Sequence, residues 1–385
     1  MSDNPTQDTQ SGLSNWREAP HSRWAFHHVS EIIRSQPVWR GQTSPAAPPI
    51  ANGRLAAFRL TLSDGASLDL AGLLAATATD AMVVLKDGEI VYETYANGND
   101  RDTPHILMSA TKAVIGVLAS SLESGGAIDL NSRVSDHLPE IAATPYAGAT
   151  LRHLLDMRVG VVLDDAQQRA YDEATGWVPA PDQAPAQHAF FAGLRGPAAS
   201  HGGHFRYVSA NTDLLGWAIE RKTGNAVANL LGQLVWAPMG GEGEAYLTTD
   251  REGAPRCTGG LCATARDLAR LGQLLIDDGR RAATQALPQG LFSELVHGGD
   301  AEAWARGEWG ALFAPIGRDM AFRSGWYAMH GDPDILFAMG IHGQNLFLDR
   351  PNRIVIAKFS SWAAPNDYRA LALTHMAVRE IRRVL

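Results

Sequence analysis

Two stretches of the chain have the residue pattern of β-hairpins. Residues 81–85 and 90–95 are rich in Val, Ile, Tyr and Thr, and they flank a turn that contains Asp87-Gly88. Residues 346–348 and 353–359 repeat this arrangement around a polar turn at 349–352. Apolar runs that flank an Asp-Gly or Pro-containing turn are typical of hairpins. The sequence therefore predicts one hairpin near residue 88 and a second near the C-terminus.

Helices are predicted between and after these hairpins. The apolar run at 106–117 is typical of the start of a buried helix, and Gly125-Gly126 marks its end because glycine commonly ends helices. Further helical patterns cover 150–157, 212–223 with Gly224 just past the end, 263–270 and 366–385. From about 127 to 235 the sequence predicts helices joined by long loops.

Strand signals near both ends of the chain, with helices between them, predict an α/β (α+β) fold. We expect a sheet lobe of residues 16–126 and 240–385, an inserted all-helical lobe of residues 127–239, and a site in the cleft between the lobes. Residues 1–15 are predicted to be disordered, 16–38 to be an aromatic-rich docking segment, and 42–52 to be a Pro/Ala linker.

Composition excludes some classes of partner. The 385 residues carry a net charge of −8 without a basic cluster, which disfavours nucleic acid and anionic membranes as partners. The polar, acidic N-terminus lacks the features of a signal peptide, and no apolar run approaches the length of a membrane span. Two cysteines, Cys257 and Cys262, are too few for a disulfide framework. We therefore expect a cytoplasmic protein.

Ser109 and Lys112 are the strongest candidates for catalytic chemistry. They lie three positions apart in the apolar 106–117 run, and such residues share one face of a helix. A hydroxyl and an amine held together partly out of water can act as a nucleophile and its base. The spacing thus predicts a nucleophilic serine.

Two further segments complete a possible site. Tyr207 follows a Gly-rich loop and precedes the 212–223 helix, so its hydroxyl can project into a cleft. A phenol can act as a base when a neighbouring ammonium lowers its pKa, and Lys112 would be that ammonium. Gly340 and Gly343 lie at the entry to the last hairpin, where a backbone N–H can face an oxyanion without steric hindrance from a side chain.

These segments resemble the serine β-lactamase and penicillin-binding-protein superfamily, in its class C and family VIII esterase branch, and within it the 6-aminohexanoate-dimer hydrolases. The resemblance runs from about Trp16 to the C-terminus. The segments that carry it are Trp24-Ala25-Phe26, Leu107-Met108-Ser109, Asp156-Met157, Thr175-Gly176-Trp177, Tyr207-Val208-Ser209-Ala210-Asn211-Thr212-Asp213, residues 262–270, Ile341-His342-Gly343-Gln344-Asn345-Leu346 and Ser360-Ser361-Trp362.

The resemblance implies a role for each matching position. It implies a five-stranded antiparallel sheet with flanking helices, no cofactor and no metal. Ser109 would be the acylated nucleophile and Lys112 and Tyr207 the proton carriers, while the backbone N–H groups of Ser109 and Ile341 would form the oxyanion hole. Asp172 would meet an ammonium end of the substrate and Trp177 would close over it. The remaining candidates for substrate contact are Ser209, Tyr171, Thr258, Tyr327 and His342.

One departure concerns the substrate. The segment 159–171 is shorter than in the nylon-oligomer enzymes and has no match for the family tyrosine that hydrogen-bonds the scissile amide. Tyr171 is the nearby candidate to replace it. Since an amine leaves only when it is protonated, this departure predicts that ester hydrolysis exceeds amide hydrolysis.

Several alternatives stay open at this stage. A carboxylesterase for short acyl chains is the second enzymatic interpretation, ahead of a D-alanyl-D-alanine peptidase or a β-lactamase. A non-catalytic binding module would be expected to lack Ser109, Lys112 or Tyr207, and all three are present. The predicted partner is a small amide or ester substrate, and a homodimer is left open.

Overall fold

The computed structural model describes residues 11–42, 49–51 and 53–385. Its strands are β1 (Ser35–Val38), β2 (Leu60–Thr61), β3 (Ser67–Leu68), β4 (Thr79–Lys86), β5 (Glu89–Tyr95), β6 (His105–Ile106), β7 (Ala245–Thr248), β8 (Leu261–Ala263), β9 (Arg280–Arg281), β10 (Thr284–Gln285), β11 (Met320–Arg323), β12 (Trp326–Met329), β13 (Ile335–Gly340), β14 (Gln344–Asp349) and β15 (Ile354–Ser360).

Its α-helices are α1 (Ser22–Ala25), α2 (Val29–Ile32), α3 (Leu70–Ala76), α4 (Thr111–Ser124), α5 (Val134–His137), α6 (Leu151–Leu155), α7 (Asp165–Ala174), α8 (Gln187–Gly193), α9 (Ala210–Thr223), α10 (Val227–Leu231), α11 (Ala237–Met239), α12 (Ala265–Ile276), α13 (Leu291–His297), α14 (Ala301–Ala305), α15 (Gly310–Phe313) and α16 (Tyr368–Val384). Short 3-10 turns at Met108–Ala110, Pro139–Ile141 and Ile341–Gly343 and a π-helical turn at Gly232–Trp236 complete the regular structure.

Within residues 53–385, seven antiparallel strands form the main sheet, in the order β11-β12-β13-β14-β15-β4-β5. The predicted antiparallel β-lactamase-like fold is confirmed, but the expected number of five strands is wrong. The strands missed by the sequence analysis, β11 and β12, have four residues each and meet at a turn where Ser324 has φ +50°. A second sheet has the strand order β1-β7-β8-β6, and its strand β6 lies just before Ser109 in the chain.

Both predicted hairpins are present. In the first, Asp87 and Gly88 have φ values of +55° and +83°, as a two-residue turn with both central residues left-handed requires. In the second, β14 pairs with β15, and β15 then pairs with β4 along nearly its whole length. Segments from distant parts of the chain are therefore neighbours in the main sheet.

Helices cover both faces of the central strands. Met82, Val84 and Ile356 pack with side chains of α16 in one apolar cluster. Alternate residues of the same strands, such as Val83 and Ala357, belong to a second cluster that includes α12 and α4. Because side chains alternate between the faces of a strand, β4 and β15 are apolar on both sides.

Helix α4 is buried along most of its length and lies against the turn between β11 and β12. A Cβ on Gly116 would come within 1.8 Å of the Ser324 carbonyl oxygen. Gly325, at φ +85°, would bring a Cβ within 2.4 Å of the Lys112 carbonyl oxygen. These two glycines permit a backbone contact that fixes the start of α4, and with it Lys112.

Residues 127–239 contain α5 to α11 and no strand. Helix α9 begins at Ala210, two residues before the predicted start, and ends at Gly224 with φ +68°. The division into a sheet lobe and a helical lobe stays a prediction. Among the described residues, no helix is long and apolar enough to cross a lipid bilayer.

The N-terminal expectation needs a partial correction. Residues 1–10 lie outside the described residues, but 11–15 form a hydrogen-bonded turn that precedes the buried Trp16. In the predicted linker at 42–52, residues 43–48 and 52 also lie outside the described part. Residues 49–51 pair with the chain at Ile90 through two backbone hydrogen bonds of 2.8 Å.

Candidate active site

Ser109 lies on the 3-10 turn Met108–Ala110, immediately before α4, rather than inside the helix. Met108 has φ +46°, a strained conformation for a residue with a side chain. Gly340, the last residue of β13, lies against this turn: a Cβ there would be 2.6 Å from the Leu107 carbonyl oxygen and 2.8 Å from the Ser109 nitrogen. The close approach brings the backbone that leads to Ile341 beside the Ser109 N–H.

The Lys112 amine points at Ser109. Lys112 is 2% exposed, and its Nζ lies 3.1 Å from Ser109 Oγ and 2.8 Å from the Thr258 carbonyl oxygen. Burial lowers the pKa of Lys112 well below its usual value, and the Arg256 cation lowers it further, while Asp213 acts in the opposite direction. The direction of this shift favours the neutral amine, which can accept a proton.

Tyr207 lies on the other side of the pair. Lys112 Nζ is 4.9 Å from the centre of its ring, and the Tyr207 ring stacks on Trp309 at 4.3 Å. Burial raises the pKa of Tyr207, although hydrogen bonds with Ser109 and Ser209 lower it in part. The expectation that a Lys112 ammonium makes Tyr207 a base is therefore wrong in direction. Tyr207 therefore keeps its proton more readily than a free phenol, whereas Lys112 loses its proton more readily than a free lysine.

A buried ionic network holds the Thr258 carbonyl that anchors Lys112. Asp213 Oδ1 accepts the Thr258 backbone N–H at 2.7 Å, and Asp213 Oδ2 accepts the Tyr171 hydroxyl at 2.5 Å and the Arg256 guanidinium. Burial opposes the charge of Arg256, but Asp213 and Tyr171 raise its pKa above the usual value. The network therefore places the Arg256 guanidinium and the Asp213 carboxyl group behind Ser109 and Lys112.

Tyr171 belongs to this network and not to a substrate surface. It is fully buried, and its hydroxyl contacts Asp213 and Arg256. The interpretation of Tyr171 as a replacement for the family tyrosine is not supported by this position, because both partners of its hydroxyl are internal. The expectation that Tyr171 contacts the substrate rested only on its position next to Asp172 in the sequence.

Ser209 and Thr258 contact each other. The Thr258 hydroxyl donates to the Ser209 carbonyl oxygen, and Thr258 is buried. Ser209 is the N-terminal flanking residue of α9 and lies beside Tyr207. Of the two, Ser209 is half-buried and the better candidate to meet a substrate, whereas Thr258 links Lys112 to Asp213.

Trp177 and Asp172 lie next to the N-terminal segment. The Trp177 carbonyl accepts the Trp16 Nε1–H at 2.9 Å, and the two rings meet edge to face at 5.1 Å. The Arg17 guanidinium lies 5.8 Å from the centre of the Trp177 ring. Burial lowers the pKa of Arg17, while the negative charge of Asp172 raises it. A cationic substrate end that approaches Asp172 would therefore also meet the positive charge of Arg17.

A cavity of about 240 Å³ opens beside the nucleophile. Four predicted site residues line it, namely Ser109, Tyr207, Tyr327 and Ile341. The other lining residues are Trp309, Met339, Gly340, Asn345, Trp362, Pro365, Asn366, Asp367, Tyr368 and Leu371. The predicted residues that do not line it are Lys112, Tyr171, Asp172, Trp177, Ser209, Thr258 and His342.

His342 is buried directly after Ile341 in the chain. It has φ +60°, its Nδ1–H donates to the Trp362 carbonyl at 2.7 Å, and its ring meets Phe26 at 4.9 Å. This arrangement holds the backbone next to Ile341 and gives His342 a positioning role.

The sequence analysis did not identify two parts of the site. Asp213 and Arg256 carry no local signal, although Asp213 ends a segment on which the family resemblance rests. Trp309 lines the cavity from a distant part of the chain, and no spacing rule connects it to Ser109. Asn345 also lines the cavity; it lies in the segment 341–346 that carries the resemblance but was not selected as a site residue.

Histidine clusters lie away from this cavity. His27 contacts Asn99, and His201 accepts the Gly160 N–H, so both side chains have internal partners. Among the described residues, His297, His330 and Asp334 each place one possible ligand atom within 4.8 Å of the others, at the end of α13 and after β12. None of these residues lines the cavity.

Comparisons with known proteins agree with this arrangement. The model of the Beta-lactamase family matches residues 70–380. The 6-aminohexanoate-dimer hydrolase of Paenarthrobacter ureafaciens is 33% identical over 380 residues, which cover 97% of this chain and 94% of that protein.

Solved structures show the same fold. One that is provisionally named a 6-aminohexanoate-dimer hydrolase, from Bacillus anthracis, has a TM-score of 0.86 and 26% identity, covering 97% of this chain and 98% of that chain. A family VIII carboxylesterase shares the fold alone, with a TM-score of 0.58 and 18% identity over 80% of this chain and 95% of its own. The chain belongs to the β-lactamase family and is a serine hydrolase.

Proposed function

We propose that this enzyme cleaves amide or ester bonds of small linear substrates through an acyl-enzyme on Ser109. The name of the relative that is 33% identical, 6-aminohexanoate-dimer hydrolase, supports hydrolysis of a small substrate. The observation that carries the proposal is the buried Lys112 amine, 3.1 Å from Ser109 Oγ. A neutral amine at hydrogen-bond distance from a hydroxyl is the arrangement that activates a serine.

In acylation, Lys112 takes the Ser109 proton while Oγ attacks the substrate carbonyl carbon. The N–H groups of Ser109 and Ile341 stabilise the negative charge on the carbonyl oxygen, a contribution that is typically about 3–4 kcal/mol for one donor. Tyr207 gives its proton to the leaving oxygen or nitrogen, and the Lys112 ammonium beside its ring returns a proton to the phenolate.

In deacylation, a water molecule gives a proton to Lys112 and attacks the acyl carbon. The bond from that carbon to Ser109 Oγ breaks, and Oγ takes the proton back from Lys112. The cycle needs no cofactor, and its net reaction is hydrolysis.

Esters are the favoured substrates within this proposal. The candidate for the amide contact, Tyr171, has its hydroxyl committed to Asp213 and Arg256. The amine of an amide is a poorer leaving group than the less basic alkoxide of an ester. Its departure therefore depends more on proton donation. This observation favours the carboxylesterase alternative. A cytoplasmic location stays a prediction, and a homodimer stays open.

The test combines labelling with a substrate panel. A fluorophosphonate should label Ser109 once, and Ser109→Ala should lose at least about 10³-fold in kcat on p-nitrophenyl butyrate. The matched control is Ser121→Ala on the same helix, where the hydroxyl donates to the Val117 carbonyl at 2.9 Å. Full activity of Ser109→Ala would refute the proposal, and the aminohexanoate dimer measured alongside would give the ester-to-amide ratio.

A further inference from the structure

Three potential metal ligands lie together on the surface, away from the cavity beside Ser109. His297 is the last residue of α13, His330 directly follows β12, and Asp334 directly precedes β13. One possible ligand atom of each residue lies within 4.8 Å of those of the other two. Because β12 and β13 are paired antiparallel strands, the cluster joins the end of a helix to the turn of a hairpin.

All three side chains can be reached from solvent. His297 is exposed, and the side chains of His330 and Asp334 are 23% and 32% exposed. The two imidazole rings are nearly parallel, with 11° between their planes and 6.0 Å between their centres. Among the described residues, neither ring hydrogen-bonds to a protein atom. An ion that arrives from solvent therefore displaces no protein partner from either imidazole.

The backbone that carries these side chains is held in place. Leu295 of α13 lies in the same apolar cluster as Ala328 of β12 and Leu336 of β13, so the helix is packed on the hairpin. The His330 backbone N–H donates to the Asp319 carbonyl oxygen at 2.9 Å. Convergence of the three ligand atoms therefore requires rotation of side chains and no movement of the helix against the hairpin.

The distances fit a small ion with nitrogen and oxygen ligands. His330 Nδ1 and Asp334 Oδ1 are 3.7 Å apart, and the Gly331 N–H donates to Asp334 Oδ1 at 3.0 Å, which positions the carboxylate within the turn. In a tetrahedral zinc site, bonds of about 2.0–2.2 Å place neighbouring ligand atoms about 3.3–3.6 Å apart. The rotations have to close at most about 1.5 Å.

We propose that His297, His330 and Asp334 bind one divalent first-row transition ion, for which Zn²⁺ is the probe, with water completing the coordination. Imidazole nitrogen favours such ions, whereas Mg²⁺ and Ca²⁺ prefer ligand sets made of oxygen. The bound ion ties the end of α13 to the turn between β12 and β13 and stabilises the folded chain. This inference goes beyond the proposed function and does not depend on Ser109.

Calorimetric titration of the full chain with zinc chloride, after dialysis against a chelator, tests the site. We expect one equivalent of Zn²⁺ to bind and Mg²⁺ to give no binding heat. Because an ion that binds only the folded chain stabilises it, the urea midpoint of unfolding should rise with the zinc concentration. Hydrolytic activity is not the readout, so failure of the proposed function would leave this result unchanged.

Two variants from different segments locate the binding. His297→Asn and Asp334→Asn should each weaken zinc binding by at least about tenfold, the loss that even an outer partner of a metal ligand can cause, and should reduce the zinc-dependent rise of the urea midpoint. His204→Asn is the matched control, because His204 is an exposed histidine outside the cluster, and it should keep the wild-type affinity.

The wild-type titration stands even if one of the variants does not fold. Absence of zinc binding in the wild type, equal binding of Mg²⁺, or an unchanged zinc affinity in both cluster variants would overturn the proposal.

Discussion

Gly340→Ala should disrupt the proposed oxyanion site, which lies between β13 and the Ser109 turn. The added Cβ would lie 2.6 Å from the Leu107 carbonyl oxygen, 2.8 Å from the Ser109 nitrogen and 2.9 Å from the Met108 Cβ. Two of these atoms belong to the backbone and cannot rotate away. An ordinary contact begins near 3.4 Å, so β13 and the Ser109 turn must separate by about 0.8 Å.

The size of the effect follows from this displacement. A shift of this order in catalytic geometry costs on the order of 10²-fold in rate, and the loss of one oxyanion donor costs about 10²–10³-fold. We therefore expect kcat on p-nitrophenyl butyrate to fall about 100-fold, which corresponds to about 2.7 kcal/mol. The overpacked contact should also lower the free energy of unfolding by about 1–3 kcal/mol.

The assay measures kcat and KM by ester hydrolysis and the free energy of unfolding by urea denaturation. Gly331→Ala is the matched control, because it makes the same change before the same strand and its nearest atom would be the Pro333 carbonyl oxygen at 3.8 Å. A folded Gly340→Ala enzyme with kcat within about threefold of the wild type would refute this account of the oxyanion site.

Three further predictions follow from the electrostatics. The acylation rate should rise with pH through a pKa well below 10.5, because burial and Arg256 favour the neutral amine of Lys112; a pH–rate profile that is half-maximal at or above 10.5 would contradict this. Asp172→Asn should reduce the preference for substrates with a cationic end by at most about fivefold, near 1 kcal/mol, and Arg17→Gln should increase that preference; competition between aminoacyl and acyl p-nitrophenyl esters measures both. Tyr171→Phe should cost about 1–3 kcal/mol in the free energy of unfolding and slow esters and amides alike, since it removes a donor from a buried carboxylate; a loss confined to amides would restore its role in substrate contact.

The sequence predicted those elements that local chemistry determines. Asp87-Gly88 specified the turn of the first hairpin, and Gly224 marked the end of α9. The spacing of Ser109 and Lys112 placed an amine 3.1 Å from a hydroxyl. In each case the informative residues lie within a few positions of one another, so the backbone geometry follows from the sequence.

Other features depend on contacts that no local pattern contains. Asp213 meets Arg256 across 43 positions, and the pKa directions of Lys112 and Tyr207 depend on their burial. Such properties arise when the chain is folded, because desolvation and hydrogen-bond satisfaction are set by all neighbouring elements together.

The pairing of β4 with β15 also determines when activity can arise during biosynthesis. Ser109 leaves the ribosome long before Ile341, and β4 lacks one of its two flanking strands until residues 354–360 have been made. Pairings between distant segments form slowly, and an uncovered apolar strand is prone to aggregation in the meantime. The yield of active enzyme should therefore depend on translation speed and on chaperones, and a chain truncated before β15 should have no activity.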